Sequence, residues 1–137
     1  MSKKYNLFVY GTLKKFERAS YMLADANFVA DAVTKPKYQL YSCGLYPALI
    51  LGDKSVQGEI YEIDEDTKIR LDNYEGVFDG YYNFEEIELI TVNLVSGNYK
   101  FLNKPIFAYL YQKDVSDFEK IDTWPCEDNQ YTYNSIN

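Results

Sequence analysis

The sequence predicts an α+β fold in which a mixed or closed β-sheet is accompanied by about two helices. Three observations support this prediction. The chain has 137 residues, of which 47% are apolar, so it can form one hydrophobic core but not two ordinary domains. Most apolar runs have strand length and end near glycine or proline. Two other segments repeat apolar residues at helical spacing. We therefore expect residues 1–137 to form a single domain.

The first elements along the chain are a strand and a helix. Residues 5–10 predict a short buried strand that ends at Gly11. Residues 16–26 predict a helix, because apolar side chains recur in this segment at intervals of three or four. The side chains that define this spacing are Phe16, Ala19, Leu23 and Ala26.

Three extended segments follow. Residues 29–40 are expected to be extended, and Pro36 favours an edge position or a bend within them. Residues 45–51 form a second apolar run, and residues 56–63 predict a further strand. Gly58 lies inside this last strand, which indicates either a β-bulge or a close approach of another backbone.

The clearest helix comes next. Asp64 or Asp66 is expected to cap its N-terminus, and the helix should continue to about Tyr74. Gly76 provides the stop signal. The apolar face of this helix is expected to contain Ile69, Leu71 and Tyr74.

The C-terminal part predicts strands and then an irregular tail. Residues 82–94 partly alternate between apolar and acidic side chains, residues 96–98 form a turn, and residues 106–111 form a uniformly apolar strand. From Asp114 onward the sequence lacks periodicity. We expect the core of the domain over about residues 5–112 and a surface tail over about 113–137.

The charge and the N-terminus exclude several classes of protein. A net charge of −7 without any basic run disfavours binding to a nucleic acid backbone. The apolar stretch at residues 7–10 is too short for a signal peptide or a membrane span, so we predict a cytoplasmic location without membrane contact. Cys43 and Cys126 lie far apart in the sequence and are expected to be reduced thiols.

The sequence contains no histidine. This absence excludes Ser-His and Cys-His nucleophilic catalysis, together with most zinc sites. An enzyme of this composition would most readily use a carboxylate for proton transfer. The 15 tyrosines could line a pocket that is both packed and wet, although most of them can equally be explained as filling a β-rich surface.

The turn after the first strand is one candidate site. Gly11 can adopt a positive φ, so that successive backbone N–H groups converge on an anion, and Thr12 adds a hydroxyl donor. A purely geometric role for the glycine remains an alternative, because most loop glycines serve chain geometry.

The acidic end of the predicted helix is the second candidate site. Asp72 and Glu75 lie in its last turn, where the helix dipole disfavours negative charge and raises a carboxyl pKa. Solvated surface acids are the alternative interpretation. A calcium loop of the EF-hand type does not fit, because Ile69 occupies the position that requires glycine. A glycosidase pair drawn from Glu85, Glu86 and Glu88 has little support, because Glu86 and Glu88 would lie on one face of a strand like the acids of any solvated edge.

An ordered set of motifs spans residues 5–112. Tyr-Gly-Thr-Leu at 10–13 and Tyr-Pro-Ala-Leu at 46–49 are followed by Gly-Glu-Ile-Tyr-Glu-Ile-Asp at 58–64 and Leu-Asp-x-x-Glu-Gly at 71–76. Tyr81 follows the acidic motif, and the predicted strand at residues 106–111 ends in Tyr111. In this order the motifs resemble the γ-glutamylcyclotransferase-like proteins, in particular the γ-glutamylamine cyclotransferase branch.

The resemblance implies a small β-barrel with flanking helices and a pocket between the first turn and the acidic motif. Glu75 corresponds to the catalytic acid of the family. The substrate-binding residues implied by the resemblance are Tyr10, Gly11, Thr12, Leu13, Tyr81 and Tyr111. Asn83 stands where the family usually has arginine, which could alter a salt bridge or the pocket rim.

The resemblance also implies a reaction. The α-amine of a small γ-glutamyl amide would attack its own γ-carbonyl, with Glu75 as general acid and base, to release 5-oxoproline and a free amine. This chemistry requires no metal or cofactor. Two alternatives stay open: a non-catalytic domain that binds a small anion or amino-acid derivative, and an enzyme that removes a γ-glutamyl group from a biosynthetic intermediate. A tyrosine-rich barrel for single-stranded nucleic acid would lack a cationic groove.

Overall fold

The computed structural model of the chain describes residues 3–94 and 104–124, and it contains nine strands and one α-helix in these ranges. The strands are β1 (Lys4–Val9), β2 (Asn27–Thr34), β3 (Tyr38–Ser42), β4 (Pro47–Leu51), β5 (Gln57–Asp64), β6 (Tyr82–Ile87), β7 (Leu89–Leu94), β8 (Ile106–Tyr111) and β9 (Glu119–Ile121). The helix α1 is Glu65–Tyr74, and 3₁₀ helices occupy Ser20–Leu23 and Val77–Asp79.

The strands form two sheets. The larger sheet has six strands in the order β6-β8-β1-β5-β2-β7 and curls into a half barrel. Strand β1 lies inside it, parallel to β8 and antiparallel to β5. The smaller sheet has the order β4-β3-β9 and is antiparallel. The predicted α+β class with a mixed, barrel-like sheet is therefore confirmed.

Strand β1 is buried on both faces because it contributes to two apolar clusters. Phe8 packs in a cluster that joins the two sheets and includes Leu49. Leu7 packs on the opposite face in a cluster that includes Leu71 of α1. Full burial of a large aliphatic or aromatic side chain contributes about 1.5–3 kcal/mol to stability. This double burial fixes β1, and with it the loop that follows at residues 10–13, called loop 10–13 below.

The helix α1 has the predicted bounds. Asp64 is its N-cap and accepts a hydrogen bond from the backbone N–H of Thr67 at 2.8 Å. The helix ends where Gly76 adopts a left-handed φ of 68°. Its predicted apolar face is only partly correct, because Ile69 is 52% exposed and the buried residues are Thr67 and Leu71.

Gly58 and the bulge in its sheet are separate features. A Cβ at Gly58 would lie 2.4 Å from the carbonyl oxygen of Val9, so the glycine permits a close backbone approach. The register shift instead occurs in β2, between Phe28 and Ala30.

The predicted helix at residues 16–26 is wrong. Backbone hydrogen bonds from Ser20, Met22, Ala24 and Ala26 reach back three residues instead of four, so the segment forms 3₁₀ turns. Two features accompany this geometry. Phe16 has a left-handed φ of 70°, and the N–H of Ala19 donates a hydrogen bond to the carbonyl of Thr12. The spacing of the apolar residues was informative all the same, since Ala19 and Leu23 are buried.

The predicted surface tail contains structure that the sequence did not predict, although residues 113–123 are exposed or partly exposed. Strand β9 pairs with β3, and Trp124 is only 5% exposed within the cluster that joins the two sheets. A three-residue strand and one buried indole leave no detectable periodicity in a sequence. The predicted turn at residues 96–98 and Cys126 lie outside the described residues. No helix in the described ranges is long and apolar enough to cross a membrane.

Candidate active site

A cavity of about 440 Å³ opens where loop 10–13 meets the C-terminal end of α1. Its wall is contributed by β1 and its loop, by the start of β4 and the residue before it, by the end of α1 and by β6 and β8. The lining residues are Phe8, Val9, Tyr10, Gly11, Thr12, Leu13, Arg18, Tyr46, Pro47, Tyr74, Glu75, Gly76, Asp79, Tyr81, Tyr82 and Tyr109.

Loop 10–13 is held against the helix and against β4. The Thr12 hydroxyl shares a hydrogen bond with the Tyr74 hydroxyl at 3.2 Å, which links the loop to the last residue of α1. On the other side, a Cβ at Gly11 would lie 2.3 Å from Cγ of Pro47. The expected positive φ at Gly11 is wrong, because the glycines with positive φ in the described ranges are Gly44, Gly76 and Gly80. Gly11 is needed for its lack of a side chain beside Pro47.

The loop offers backbone donors to the cavity. Within the described part of the chain, the N–H groups of Gly11, Thr12 and Leu13 make no hydrogen bond to a protein acceptor. Their carbonyls are partly engaged, since Gly11 accepts from Lys14 and Thr12 accepts from Ala19. Adjacent free N–H groups on a cavity wall are suited to a carboxylate or an oxyanion.

Glu75 follows α1 directly and contributes its carboxyl group to the same cavity. Its backbone N–H donates to the carbonyl of Leu71 at 2.8 Å, which completes the last helical turn. Burial raises the pKa of the Glu75 carboxyl to about 8. Among the described residues, none donates a hydrogen bond to this carboxylate, so nothing compensates for its lost hydration.

Six tyrosines line the cavity, and three of them donate their hydroxyl hydrogen bonds to acceptors other than Glu75. Tyr10 donates to the backbone carbonyl of Tyr109 at 2.6 Å, and Tyr82 donates to the carbonyl of Pro47 at 2.8 Å. Tyr109 donates to the carboxylate of Asp72 at 2.8 Å. Burial raises the pKa of all three phenols above the usual value, and the charge of Glu75 raises it further. They therefore remain protonated, and none of the three donates a hydrogen bond to the Glu75 carboxylate.

Charged and aromatic side chains form the exposed rim. Arg18 and Asp79 bring opposite charges to the lining, and the Arg18 guanidinium donates to the carbonyl of Leu45. Tyr81 is 46% exposed, as expected for a rim residue, and the ammonium of Lys113 lies 5.0 Å from its ring centre. The rim is therefore amphipathic.

Six of the seven residues expected in the site line this cavity, and Tyr111 does not. Tyr111 lies behind the wall, where its ring meets that of Tyr82 edge to face at a centroid distance of 5.1 Å. Tyr109, two residues earlier on the same face of β8, takes the position in the wall. Asn83 is exposed on β6 and does not line the cavity.

Sequence reasoning missed Tyr46, Tyr82 and Tyr109 as lining residues. The alternation of β8 would have placed Tyr109 and Tyr111 on one face, but not which of them reaches the cavity. Glu88, considered above for a glycosidase pair, does not line the cavity. It is a surface acid that forms ion pairs with Lys35 at 3.2 Å and with Lys37 at 2.6 Å. In residues 3–94 and 104–124, no three acidic or cysteine side chains cluster as metal ligands would.

Comparisons with known proteins agree with the motifs. The model of the family described as "Gamma-glutamyl cyclotransferase, AIG2-like" matches residues 7–132. A putative γ-glutamylcyclotransferase of Methanocaldococcus jannaschii is 36% identical over 108 residues, which cover 77% of this chain and 81% of that protein. A putative γ-glutamylcyclotransferase of Vibrio cholerae is 44% identical over 71 residues, or 52% of this chain and 62% of that protein. The match therefore spans less than two thirds of the V. cholerae relative.

The fold is likewise shared with solved structures. The crystal structure of an AIG2-like protein from Mus musculus superposes with a TM-score of 0.74, at 22% identity and with 88% of each chain covered. At this identity the likeness concerns the fold alone. The family model covers most of the chain, and the M. jannaschii relative aligns with 77% of it. The chain thus belongs to the γ-glutamyl cyclotransferase, AIG2-like family.

Proposed function

We propose that this protein is an enzyme that converts a small γ-glutamyl amide into 5-oxoproline and a free amine. The observation that carries the proposal is the shared cavity of Glu75 and loop 10–13, in which burial raises the pKa of Glu75 to about 8. A carboxylate of this basicity is suited to proton transfer near neutral pH. The cavity volume of about 440 Å³ also lies in the range that small-molecule sites occupy.

The reaction begins with a proton transfer. The α-ammonium of the substrate gives one proton to the Glu75 carboxylate, which frees the nitrogen lone pair. The nitrogen then attacks the γ-carbonyl carbon of the same molecule and closes a five-membered ring. Glu75 returns this proton to the departing nitrogen as the C–N bond to the leaving group breaks. The ring nitrogen then gives up a second proton, which leaves with the free amine in its ammonium form, and 5-oxoproline keeps one hydrogen on its ring nitrogen. Proton transfer by a positioned side chain contributes about 10²–10⁴-fold to the rate.

Loop 10–13 supplies the complementary charge stabilisation. The free N–H groups of Gly11, Thr12 and Leu13 can bind the substrate's α-carboxylate, the developing oxyanion, or both. Removal of one oxyanion donor from an enzyme typically lowers the rate by about 10²–10³-fold. A substrate folded so that its amine meets its own carbonyl gains a further proximity effect. We propose Glu75 as the catalytic residue. The residues that we propose to bind substrate are Tyr10, Gly11, Thr12, Leu13 and Tyr81, which line the same cavity.

The alternatives differ in chemistry or in leaving group. A non-catalytic domain of the same fold would bind a small anion in this cavity without releasing 5-oxoproline. Such a domain would have no need for an unpaired carboxyl with a raised pKa, so the state of Glu75 favours the enzyme. An enzyme that processes a biosynthetic intermediate would share the reaction and differ only in the amine that leaves.

The test is an assay for 5-oxoproline with a panel of γ-glutamyl compounds. The panel should include γ-glutamyl amino acids, simple γ-glutamyl amines and a γ-glutamyl isopeptide of lysine. We expect stoichiometric release of 5-oxoproline and free amine from at least one of them. Saturable binding of several compounds without any 5-oxoproline would instead support the non-catalytic domain and overturn the proposal.

A further inference from the structure

The pKa of Glu75 depends on which acceptors receive the hydrogen bonds of the neighbouring tyrosine hydroxyls. A carboxylate that accepts a hydrogen bond from a phenol is stabilised in its charged form, and its pKa falls. Tyr10 and Tyr82 cannot provide this bond without breaking their hydrogen bonds to backbone carbonyls. Tyr109 differs from them, because its acceptor is a side chain: the Asp72 carboxylate at 2.8 Å.

Asp72 is well placed for this contact. It lies three residues before Glu75, so both belong to the same end of α1. Its second carboxylate oxygen accepts from Lys68 at 2.9 Å, and both members of this ion pair are mostly buried. The Lys68 ammonium also lies 4.5 Å from the ring centre of Phe84, which further limits its motion. Asp72 is thereby held as an acceptor facing the Tyr109 hydroxyl.

We propose that Asp72 is a positioning residue: it accepts a hydrogen bond from the Tyr109 hydroxyl and so prevents that hydroxyl from donating to Glu75. The Tyr109 oxygen then presents only lone pairs to the cavity, and the Glu75 carboxylate keeps no hydrogen-bond donor. In catalysis, which rests on the proposed function, this preserves the basicity that the proton transfer requires. Without Asp72 the Tyr109 hydroxyl turns toward Glu75 and weakens the base.

The other groups around Glu75 do not substitute for this arrangement. Loop 10–13 and β6 contribute Tyr10 and Tyr82, whose protons are engaged. The rim contributes the charges of Arg18 and Asp79 and the phenols of Tyr46 and Tyr81. The Arg18 guanidinium donates to a backbone carbonyl, and Tyr74 from α1 shares its hydrogen bond with Thr12. Among Tyr10, Tyr82 and Tyr109, only Tyr109 donates to a side chain, so its hydroxyl can be released by one substitution.

The test measures the protonation of Glu75 directly, without substrate. The free protein is labelled with ¹³C at the glutamate carboxyl carbon, and Glu75→Gln assigns the resonance. We expect a wild-type midpoint of about 8. Asp72→Ala should lower this midpoint by about one pH unit, because the released phenol now stabilises the carboxylate. Tyr109→Phe should leave it nearly unchanged, because the hydroxyl donates nothing to Glu75 in the wild type.

The double variant separates positioning from a simple charge effect. If Asp72 acts through Tyr109, then Asp72→Ala combined with Tyr109→Phe should restore the wild-type midpoint. A double variant that keeps the lowered midpoint would show that the charge of Asp72 acts by itself, and the proposal would be wrong. A Tyr109→Phe midpoint well above that of the wild type would also overturn it, since Tyr109 would then already be donating to Glu75. This second outcome does not depend on whether Asp72→Ala folds.

A kinetic measurement then connects the midpoint to turnover. For any substrate that the panel identifies, the acid limb of kcat should move to lower pH in Asp72→Ala by the same interval as the midpoint, with a smaller change in KM. If no substrate is found, the titrations still decide the role of Asp72. Failure of the proposed function is thus distinguishable from failure of this inference.

Discussion

The helix α1 has a carboxyl side chain next to each end, and the two groups experience opposite environments. Asp64 precedes the helix and accepts the backbone N–H of Thr67, and this hydrogen bond lowers its pKa. Glu75 follows the helix, and burial raises its pKa to about 8. The same functional group is therefore ionised at one end and largely protonated at neutral pH at the other.

The difference follows from the polarity of a helix. Its first turn presents unsatisfied N–H groups, which stabilise a carboxylate, whereas its last turn presents only carbonyl oxygens. A carboxylate at the C-terminal end finds no backbone donor from its own helix, and here the nearby phenols donate elsewhere. Asp64 thus stabilises the fold, whereas burial disfavours the charged form of Glu75 and no hydrogen-bond donor compensates for it among the described residues.

The largest expected effect comes from Glu75→Gln. Glutamine keeps the shape of the side chain and cannot accept the substrate proton. We expect 5-oxoproline release to fall by at least about 10²-fold, with the melting temperature unchanged or higher. The matched control is Asp64→Asn, the same acid-to-amide change at the other end of the helix. Asparagine remains a good N-cap, so turnover and stability should both stay close to wild type. Near-normal turnover in Glu75→Gln would remove Glu75 from the mechanism.

The second effect concerns the cavity wall opposite the helix. In Gly11→Ala the new methyl group would lie 2.3 Å from Cγ of Pro47, so loop 10–13 has to move. We expect kcat/KM to fall by about tenfold or more and stability to fall by about 1–3 kcal/mol. Gly44→Ala serves as the control, because Gly44 does not line the cavity and its φ of 101° strains an alanine. This variant should lose stability without losing kcat/KM. Equal losses of kcat/KM in both variants would argue against a specific role for the loop.

The third effect is on stability as a function of pH. The folded protein retains a proton on Glu75 between its usual pKa of 4.5 and its raised pKa of about 8, whereas the unfolded chain loses it. Stability therefore decreases as pH rises through this interval, by at most about 1.4 kcal/mol per pH unit and by less because the cavity admits water. Urea unfolding at several pH values should show this slope in the wild type and not in Glu75→Gln. Parallel curves for the two proteins would show that Glu75 titrates normally.

Local signals in the sequence were sufficient for β1, β8 and α1. The Asp64 cap, the Gly76 stop and an apolar run long enough for a buried strand are each read from neighbouring residues. The segment at 16–26 could not be predicted in this way. Its turns depend on a hydrogen bond from Ala19 to Thr12 and on the left-handed backbone of Phe16. Neither feature can be predicted from the spacing of apolar residues.

The residues of the candidate site also separate into those that local sequence motifs identify and those that only the tertiary structure places in the cavity. Glu75 and the four residues 10–13 were identified because they belong to contiguous motifs, and they line the cavity. Tyr82 and Tyr109 were missed, because their positions depend on the pairing of β6 and β8 and of β8 with β1. The need for a glycine at position 11 could not be predicted either, because the side chain that leaves no room for a Cβ there belongs to Pro47, which is far away in sequence.

The smallest expected effect comes from the stabilised end of the helix. Asp64→Ala removes the acceptor of the Thr67 N–H, and loss of an N-cap should lower the melting temperature by about 3–8 °C. Because the pKa of Asp64 is lowered in the folded state, its contribution is present above the usual carboxyl pKa and disappears as pH falls through the lowered value. The difference in stability between wild type and Asp64→Ala should therefore shrink in acid, in the opposite sense to Glu75. Turnover per folded molecule should not change, since Asp64 does not line the cavity. If Asp64→Ala also shifted the pH profile of kcat, the two ends of α1 would be coupled, and α1 could not be divided into a stabilising end and a reactive one.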